Sequence, residues 1–253
     1  MFSRAIVKKP SESMINGLTT AGLGKPDYNL ALKQHKNYVT TLENCGLEII
    51  ELQADENFPD STFVEDVALI TPRCAIITNP GAISRRGETA EMREVILGLF
   101  SSVEQILSPG TVDAGDIMMV GSHYYIGLSE RTNSAGSNQM IEILQSYGMT
   151  GSTIKLNQGL HLKTGVAYLE NNNLAASGEF IKAPEFQEFN ILEITEDEGY
   201  AANCIWVNNQ VLIPAGFPKT RDTFSRVGYA VIEINVSEFQ KLDGGLSCLS
   251  LRF

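Results

Sequence analysis

Short apolar runs separated by turn residues recur along the chain, regularly enough to predict its elements before any single residue is considered. "VALITPRCAIIT" (67–78), "DIMMVGSHYYIGL" (116–128), "VAYLENNNLAAS" (166–177) and "CIWVNNQVLIPAG" (204–216) each read as two strands around a turn. The turns are marked by Pro72, by Gly121-Ser122, by a run of asparagines and by a second Asn-Asn pair. Helical spacing follows three of these hairpins. In "ETAEMREVILGLF" (88–100), Met92, Val95, Ile96, Leu99 and Phe100 share a face; "NQMIEILQSYG" (138–148) repeats the pattern, and "TRDTFSRVGY" (220–229) is a shorter version. Single strands are predicted after the helices, at "VEQIL" (103–107), "STIKL" (152–156) and "YAVIEIN" (229–235).

Hairpin, helix and strand thus recur roughly every 40–50 residues, a period that points to a propeller or solenoid rather than a doubly wound sheet. The unmatched pieces lie at the two ends of the chain. "RAIVKK" (4–9) and "LSCLSLRF" (246–253) each read as a lone strand, and "YNLALKQHKNYVTTLENCG" (28–46) is the helix that would follow the first. If the two end strands pair, they complete a fifth unit and close a ring, and Cys248 then sits near the ring's axis. No glycine- or proline-rich linker interrupts the series, so one domain over residues 1–253 is expected.

Composition narrows the class. The chain has 253 residues, 43% hydrophobic and 19% charged, ordinary for a globular protein with a sizeable core. A formal net charge of −11 argues against a nucleic-acid partner or an anionic membrane surface. No apolar run approaches the roughly 18 residues that cross a bilayer. "MFSRAIVKKPSES" lacks the apolar region of a signal peptide, so a cytoplasmic location and free thiols are expected for Cys45, Cys74, Cys204 and Cys248, and the "NVS" sequon at Asn235 carries no meaning. With three scattered histidines and no CxxC pair, no metal site is expected.

Several residues could carry chemistry. "DGGLSC" is either a site that backbone and ligand approach closely or a glycine bulge before a core strand. His123 reads as a solvated turn residue and His35 as helix packing, whereas His161, between two leucines in "NQGLHLKTGVAYL" just before a predicted strand, is the best candidate base. Asp60, Glu65 and Asp66 cluster around Phe63 in "FPDSTFVEDVALI", and Asp113 and Asp116 occupy the same point of the next unit in "TVDAGDIMMVG". Carboxylates at the mouth of apolar strands cost desolvation unless water, a cation or a hydrogen-bond donor meets them. Arg85 in "ISRRGE" and Arg131 in "GLSERTN" leave their hairpins at corresponding points; each is either a surface ion-pair residue or a carboxylate ligand. Both signs of charge around one axis point to a zwitterionic ligand with a cationic side chain, an arginine-like amino acid.

Along essentially its whole length the sequence resembles the bacterial-type dimethylarginine dimethylaminohydrolases of the pentein, or guanidino-group-modifying, superfamily. "GLTTAGLGKPDY", "FPDSTFVED", "NPGAISRRGETAEM", "AGDIMMVG", "GLSERTN", "LHLKTG", "YAANCIWVN" and "DGGLSCLSLRF" match in order. The resemblance implies a five-fold pseudosymmetric α/β propeller of repeated ββαβ units, and hydrolysis of Nω-methylated arginine to citrulline and a methylamine with no metal and no organic cofactor. It implies Cys248 as nucleophile and His161 as general acid and base. Glu65 and Asp66 would bind the guanidinium with Phe63 as an apolar wall, Arg85 and Arg131 would hold the α-carboxylate, and Asp60 and a lid around Leu18 would face the α-amino end. It also suggests a homodimer. At Asp113 the family has glutamate, a carboxylate that grips the guanidinium and orients the histidine. A citrulline or arginine hydrolase on the same scaffold is therefore the alternative, and a non-catalytic amino-acid-binding pentein is a third reading against which the presence of both Cys248 and His161 counts.

Overall fold

Strand β1 (Arg4–Lys8), helix α1 (Tyr28–Asn44) and strand β2 (Glu48–Leu52) open the chain. β1 and β2 pair in parallel, Ala5 opposite Ile49, and parallel neighbours need the crossover that α1 supplies. α1 starts where Asp27 accepts the Leu30 N–H at 3.0 Å, and it buries Ala31, Gln34, His35, Tyr38 and Leu42, one face of a 3.6-residue period. The structure is a computed structural model that describes residues 1–157 and 159–253; Gln158, inside the stretch read around His161, lies outside the described residues.

The same strand pairing, preceded by an antiparallel strand, follows four times, with a crossover helix in three of them. β3 (Ala68–Ile70) and β4 (Ala75–Ile77) form a hairpin, and α2 (Thr89–Leu97) leads to β5 (Val103–Gln105), parallel to β4. β6 (Ile117–Val120), β7 (His123–Leu128), α3 (Ser134–Ser146) and β8 (Thr150–Lys155) form the next unit. A short helix α4 (Leu162–Gly165) introduces β9 (Val166–Tyr168) and β10 (Asn173–Ser177), whose parallel partner is β11 (Asn190–Ile194). β12 (Ile205–Val207), β13 (Gln210–Pro214), α5 (Pro218–Arg226) and β14 (Ala230–Ile234) make the fourth. After α6 (Ser237–Gln240), strand β15 (Leu251–Arg252) pairs antiparallel with β1, Ala5 opposite Arg252, and supplies the strand that the first unit lacked.

The result is five separate three-stranded sheets of one connectivity, the five ββαβ units expected from the repeat, and not a continuous barrel. The first strands of the units adjoin, β15 beside β3, β6 beside β9 and β9 beside β12, so they surround the axis. Two of the asparagine turns use the left-handed region, with φ of 52° and 62° at Asn171 and Asn172 and 48° and 73° at Asn208 and Asn209, which asparagine tolerates best after glycine. No described helix is long and apolar enough to cross a membrane.

Three readings change. Residues 246–253 are not one strand: Ser247–Leu249 form a 3-10 turn and only Leu251–Arg252 are extended, because Leu246 and Leu249 are both buried three residues apart, on one side of a turn. The unit after β10 replaces its helix with 3-10 turns at Gly178–Lys182 and Pro184–Phe186, where Pro184 starts the second turn and has no N–H to give to a longer helix. His123 is no solvated turn residue; it begins β7 with its ring nitrogens 2.8 Å from Thr150 Oγ1 and from Ser152 Oγ.

Candidate active site

Cys248 ends a close passage of backbone. Asp243 adopts φ of 57°, and the two glycines that follow lie against side chains: a Cβ on Gly244 would come 2.2 Å from the Phe63 ring, and one on Gly245 2.3 Å from the Asn203 side chain. Both glycines are therefore required by space. Asn203 holds the turn, accepting the Ser247 N–H at 2.9 Å and donating to Ser247 Oγ at 3.2 Å, while the Tyr200 hydroxyl donates to the Gly244 carbonyl at 2.7 Å. Cys248 is 8% exposed, and its sulfur accepts the Gly245 N–H at 3.4 Å. Burial, with the charges of Glu65 and Asp66, pushes its thiol up to about 12, against the Gly245 N–H and Lys163. All four cysteines are buried free thiols.

His161 faces the same cleft. It precedes α4, and its backbone is fixed at that helix start by Thr164, whose Oγ1 accepts the His161 N–H at 3.3 Å and whose N–H reaches the His161 carbonyl at 3.1 Å. It therefore sits at a helix entry rather than directly before a strand. The ring is 7% exposed, with Nε2 3.2 Å from Asp113 Oδ2. Burial works against its charged form, but Asp66, the bond to Asp113 and the charge of Asp116 outweigh it and raise its pKa to about 9. At neutral pH the pair is thus an imidazolium and a thiol.

The segment 60–66 supplies the carboxylates. Asp60 Oδ1 accepts the Leu18 N–H at 2.9 Å, and Asp60, Phe63 and Asp66 line the cleft. Burial resists ionisation of Asp66, yet His161, Arg85 and the Gly115 N–H, 3.1 Å from Oδ1, hold its pKa below the ordinary aspartate value. Leu18, 42% exposed, lies in a loop fastened to the segment before Cys248: Thr20 donates its N–H and its hydroxyl to Asp243 Oδ2, at 2.5 and 3.0 Å, and Thr19 Oγ1 donates to the Lys241 carbonyl at 2.7 Å.

Of the ten residues singled out from the sequence, Leu18, Asp60, Phe63, Asp66, Arg85, Arg131, His161 and Cys248 line one cavity of about 50 Å³. Asp113 does not reach its surface; it is 0% exposed and stands behind His161. Glu65 is turned the other way, its oxygens taken by Lys163 Nζ at 2.6 Å and Ser247 Oγ at 2.7 Å, and it lines a second cavity of about 150 Å³ instead. Arg85 reaches the cleft, but its guanidinium already meets Asp66, Glu88 and the carbonyls of Phe63 and Asp60. Arg131 is the more available arginine, with Nη1 3.8 Å from Asp113 and a fifth of its side chain exposed. Asn203, Glu88, Lys163 and Asp116 support the site and were given no role in it from the sequence, although each lies in a matched motif and Asp116 was noted as a carboxylate beside Asp113.

Asp66, Asp113 and His161 bring one donor atom each within 4.8 Å of one another. A guanidinium on Asp66 and an imidazolium between the carboxylates already balance their charge, so the cluster fits proton handling rather than a cation.

A family model described as "N,N dimethylarginine dimethylhydrolase, eukaryotic" matches residues 24–249. An N(G),N(G)-dimethylarginine dimethylaminohydrolase of Pseudomonas aeruginosa is 58% identical over 100% of both chains, and one of Streptomyces coelicolor is 34% identical over 98% of this chain and 96% of its own. The solved structure of a cysteine-to-serine mutant of the Pseudomonas aeruginosa protein, complexed with citrulline, superimposes with a TM-score of 0.99 at 57% identity over 100% of each chain. The N-terminal domain of ArgZ, an arginine dihydrolase from cyanobacteria, has a TM-score of 0.88 at 17% identity over 100% of this chain and 97% of its own, a likeness of fold alone.

Proposed function

Because this chain belongs to the dimethylarginine dimethylaminohydrolase family, with that family's pentein propeller, we propose that it hydrolyses Nω-methylated arginine to citrulline and a methylamine through a covalent adduct on Cys248. The observation that carries the reading is the single narrow cleft in which Cys248, His161, Asp66, Asp60 and Arg131 meet. The guanidinium of the substrate lies against Asp66 with Phe63 beside it, its α-amino group faces Asp60 under the Leu18 lid, and its carboxylate reaches Arg131, with Arg85 setting Asp66 in place. Glu65 acts from behind, through its charge and its hold on Ser247.

A thiol held at about 12 needs a positive charge before it becomes a nucleophile. The incoming guanidinium offsets the two carboxylates that keep the proton on sulfur, so the thiol gives its proton up to solvent, and the thiolate forms, only when substrate is present. Sulfur adds to the guanidinium carbon, and the imidazolium of His161 gives its proton to the departing nitrogen, which leaves as the amine. The neutral imidazole then takes a proton from water as it attacks the thiouronium carbon; the carbon–sulfur bond breaks, and citrulline leaves with the thiol restored. Asp113 holds the imidazole through Nε2 in both steps. One catalytic domain over residues 1–253 and a cytoplasmic location are parts of the same proposal.

The test is a colorimetric citrulline assay with dimethylarginine, monomethylarginine and arginine, and ornithine release from citrulline alongside. Dimethylarginine and monomethylarginine should turn over fastest, and Cys248→Ser should fall below about a tenth of the wild-type rate while retaining ligand binding. A serine variant that keeps more than that removes Cys248 from the chemistry; ornithine as the main product replaces the substrate.

A further inference from the structure

Asp116 is 0% exposed and takes no part in the cleft lining, yet three donors converge on its carboxylate. Oδ1 accepts the Leu162 N–H at 3.0 Å, and Oδ2 accepts the hydroxyls of Ser129 and Thr132, both at 2.6 Å. Each donor leads to a different part of the site. Leu162 follows His161 at the start of α4. Ser129 Oγ accepts the Arg131 N–H at 3.0 Å, and Thr132 Oγ1 accepts the Asp113 N–H at 3.1 Å. The backbones that carry the proton-transfer histidine, its carboxylate partner and the more available arginine are thus tied to one buried group.

From this convergence we propose that Asp116 is a positioning residue for the hydrolysis, setting His161 against Asp113 and Arg131 against the ligand. The inference rests on the functional reading above, since it is that reading that gives the three residues their work. The direction of every hydrogen bond in the network is forced. Each hydroxyl has one proton, and its lone pairs receive a backbone N–H, so its own proton must point to an acceptor. Two hydroxyls and one N–H therefore all donate to Asp116, which leaves no partner for a carboxyl proton; burial raises its pKa above the ordinary aspartate value, and His161 and these three donors work against that rise.

An amide cannot replace it. Asparagine at 116 must turn its NH₂ either toward the two hydroxyls or toward the Leu162 N–H, and either choice sets donor against donor. It also removes one of three carboxylates around His161. The other charged or titratable groups in or beside this cleft are Asp66, Asp113, Asp60, Glu65, Glu88, Lys163, Arg85, Arg131, Cys248 and Asp243, and Asp116→Asn replaces none of them.

The experiment titrates the imidazole of His161 by NMR in ligand-free protein, with His123 as internal control, and measures kcat and KM on dimethylarginine for Asp116→Asn, Thr132→Val and Ser129→Ala. Asp116→Asn should lower the His161 midpoint by about one unit or more, leave His123 unmoved, and cut kcat by on the order of tenfold or more. The two milder variants should divide the effect: Thr132→Val, through Asp113, falls on kcat, while Ser129→Ala, through Arg131, falls on KM. They decide the matter if Asp116→Asn does not fold. An unmoved His161 midpoint in folded Asp116→Asn, or equal losses in kcat and KM for both milder variants, overturns the proposal and leaves Asp116 a brace of the fold. If dimethylarginine is not hydrolysed by the wild-type protein while the His161 midpoint still shifts in Asp116→Asn, the functional reading fails and the link between Asp116 and His161 stands.

Discussion

Asp113→Glu restores the residue that the family resemblance implies, and the structure argues that it should impair the protein. Asp113 is fully buried and both oxygens are in use: Oδ1 accepts the Gly81 N–H at 2.8 Å, and Oδ2 lies 3.2 Å from His161 Nε2. The contact with His161 is direct, so no methylene is missing from it. Glutamate adds one carbon–carbon bond, roughly 1.5 Å of reach, on a side with no free space. Forcing an extra methylene into a packed interior costs about 1–3 kcal/mol, and withdrawing the acceptor of the Gly81 N–H costs about 1–3 kcal/mol more, of which part is recovered where water reaches Gly81. A net loss of about 2–4 kcal/mol should lower Tm by roughly 5–15 °C for a protein of this size. Displacing the imidazole by an ångström should cost on the order of a hundredfold in kcat. Melting curves and citrulline formation from dimethylarginine, with ornithine release from citrulline measured beside it, check both figures. An unchanged Tm with faster dimethylarginine turnover would refute the packing argument, and loss of citrulline hydrolysis in the same variant would also overturn the choice of substrate.

Other expectations follow from the same geometry. His161→Gly should lose kcat far more than KM and accumulate the adduct on Cys248, visible by intact-protein mass spectrometry; an unchanged kcat removes His161 from the mechanism. Arg131→Ala should weaken ligands that carry an α-carboxylate and spare methylguanidine, whereas Arg85→Ala, which strands Asp66 and Glu88 in the interior, should cost about 3–5 kcal/mol of stability; similar behaviour of the two variants contradicts their different surroundings. His161 binds its proton more tightly folded, near 9, than at its ordinary 6.5, so its contribution of about 3 kcal/mol is complete below pH 6.5 and lost as pH rises through 9. Tm should fall over that window in the wild type and fall less in His161→Gln; equal slopes would assign the pH dependence elsewhere.

The hairpins were legible because their turns need residues of unusual backbone freedom, and asparagine pairs announce that directly. α1 showed its 3.6-residue stripe for the same reason that it buries one face. β2 and β11 went unread, whereas the first unit's hairpin, split between the two ends of the chain, was legible from the unmatched strand at each end. Side-chain aim was the least legible feature. Glu65 and Asp66 are neighbours in sequence, but Glu65 is drawn away by Lys163 and Ser247, 98 and 182 residues further on, and nothing local announces that. Asp116 was hidden likewise, because its role lies in partners from the loop after β7 and from the start of α4, which its neighbours along the chain do not announce.

The pairing of β1 with β15 also has a history in time. One edge of β1 has its partner, β2, within the first 52 residues, but the other pairs Ala5 with Arg252 and Ile6 with Leu251, which are made on the order of 10–50 s later at ordinary ribosomal speeds. Throughout that interval the nascent chain carries a bare strand edge, the kind of surface on which chains aggregate. The thiol arrives only three residues before the strand that covers this edge. The pairing that covers the open edge of β1 and the turn that carries Cys248 are therefore made from one short stretch of chain, so the edge is closed and the thiol is set in place by neighbouring residues.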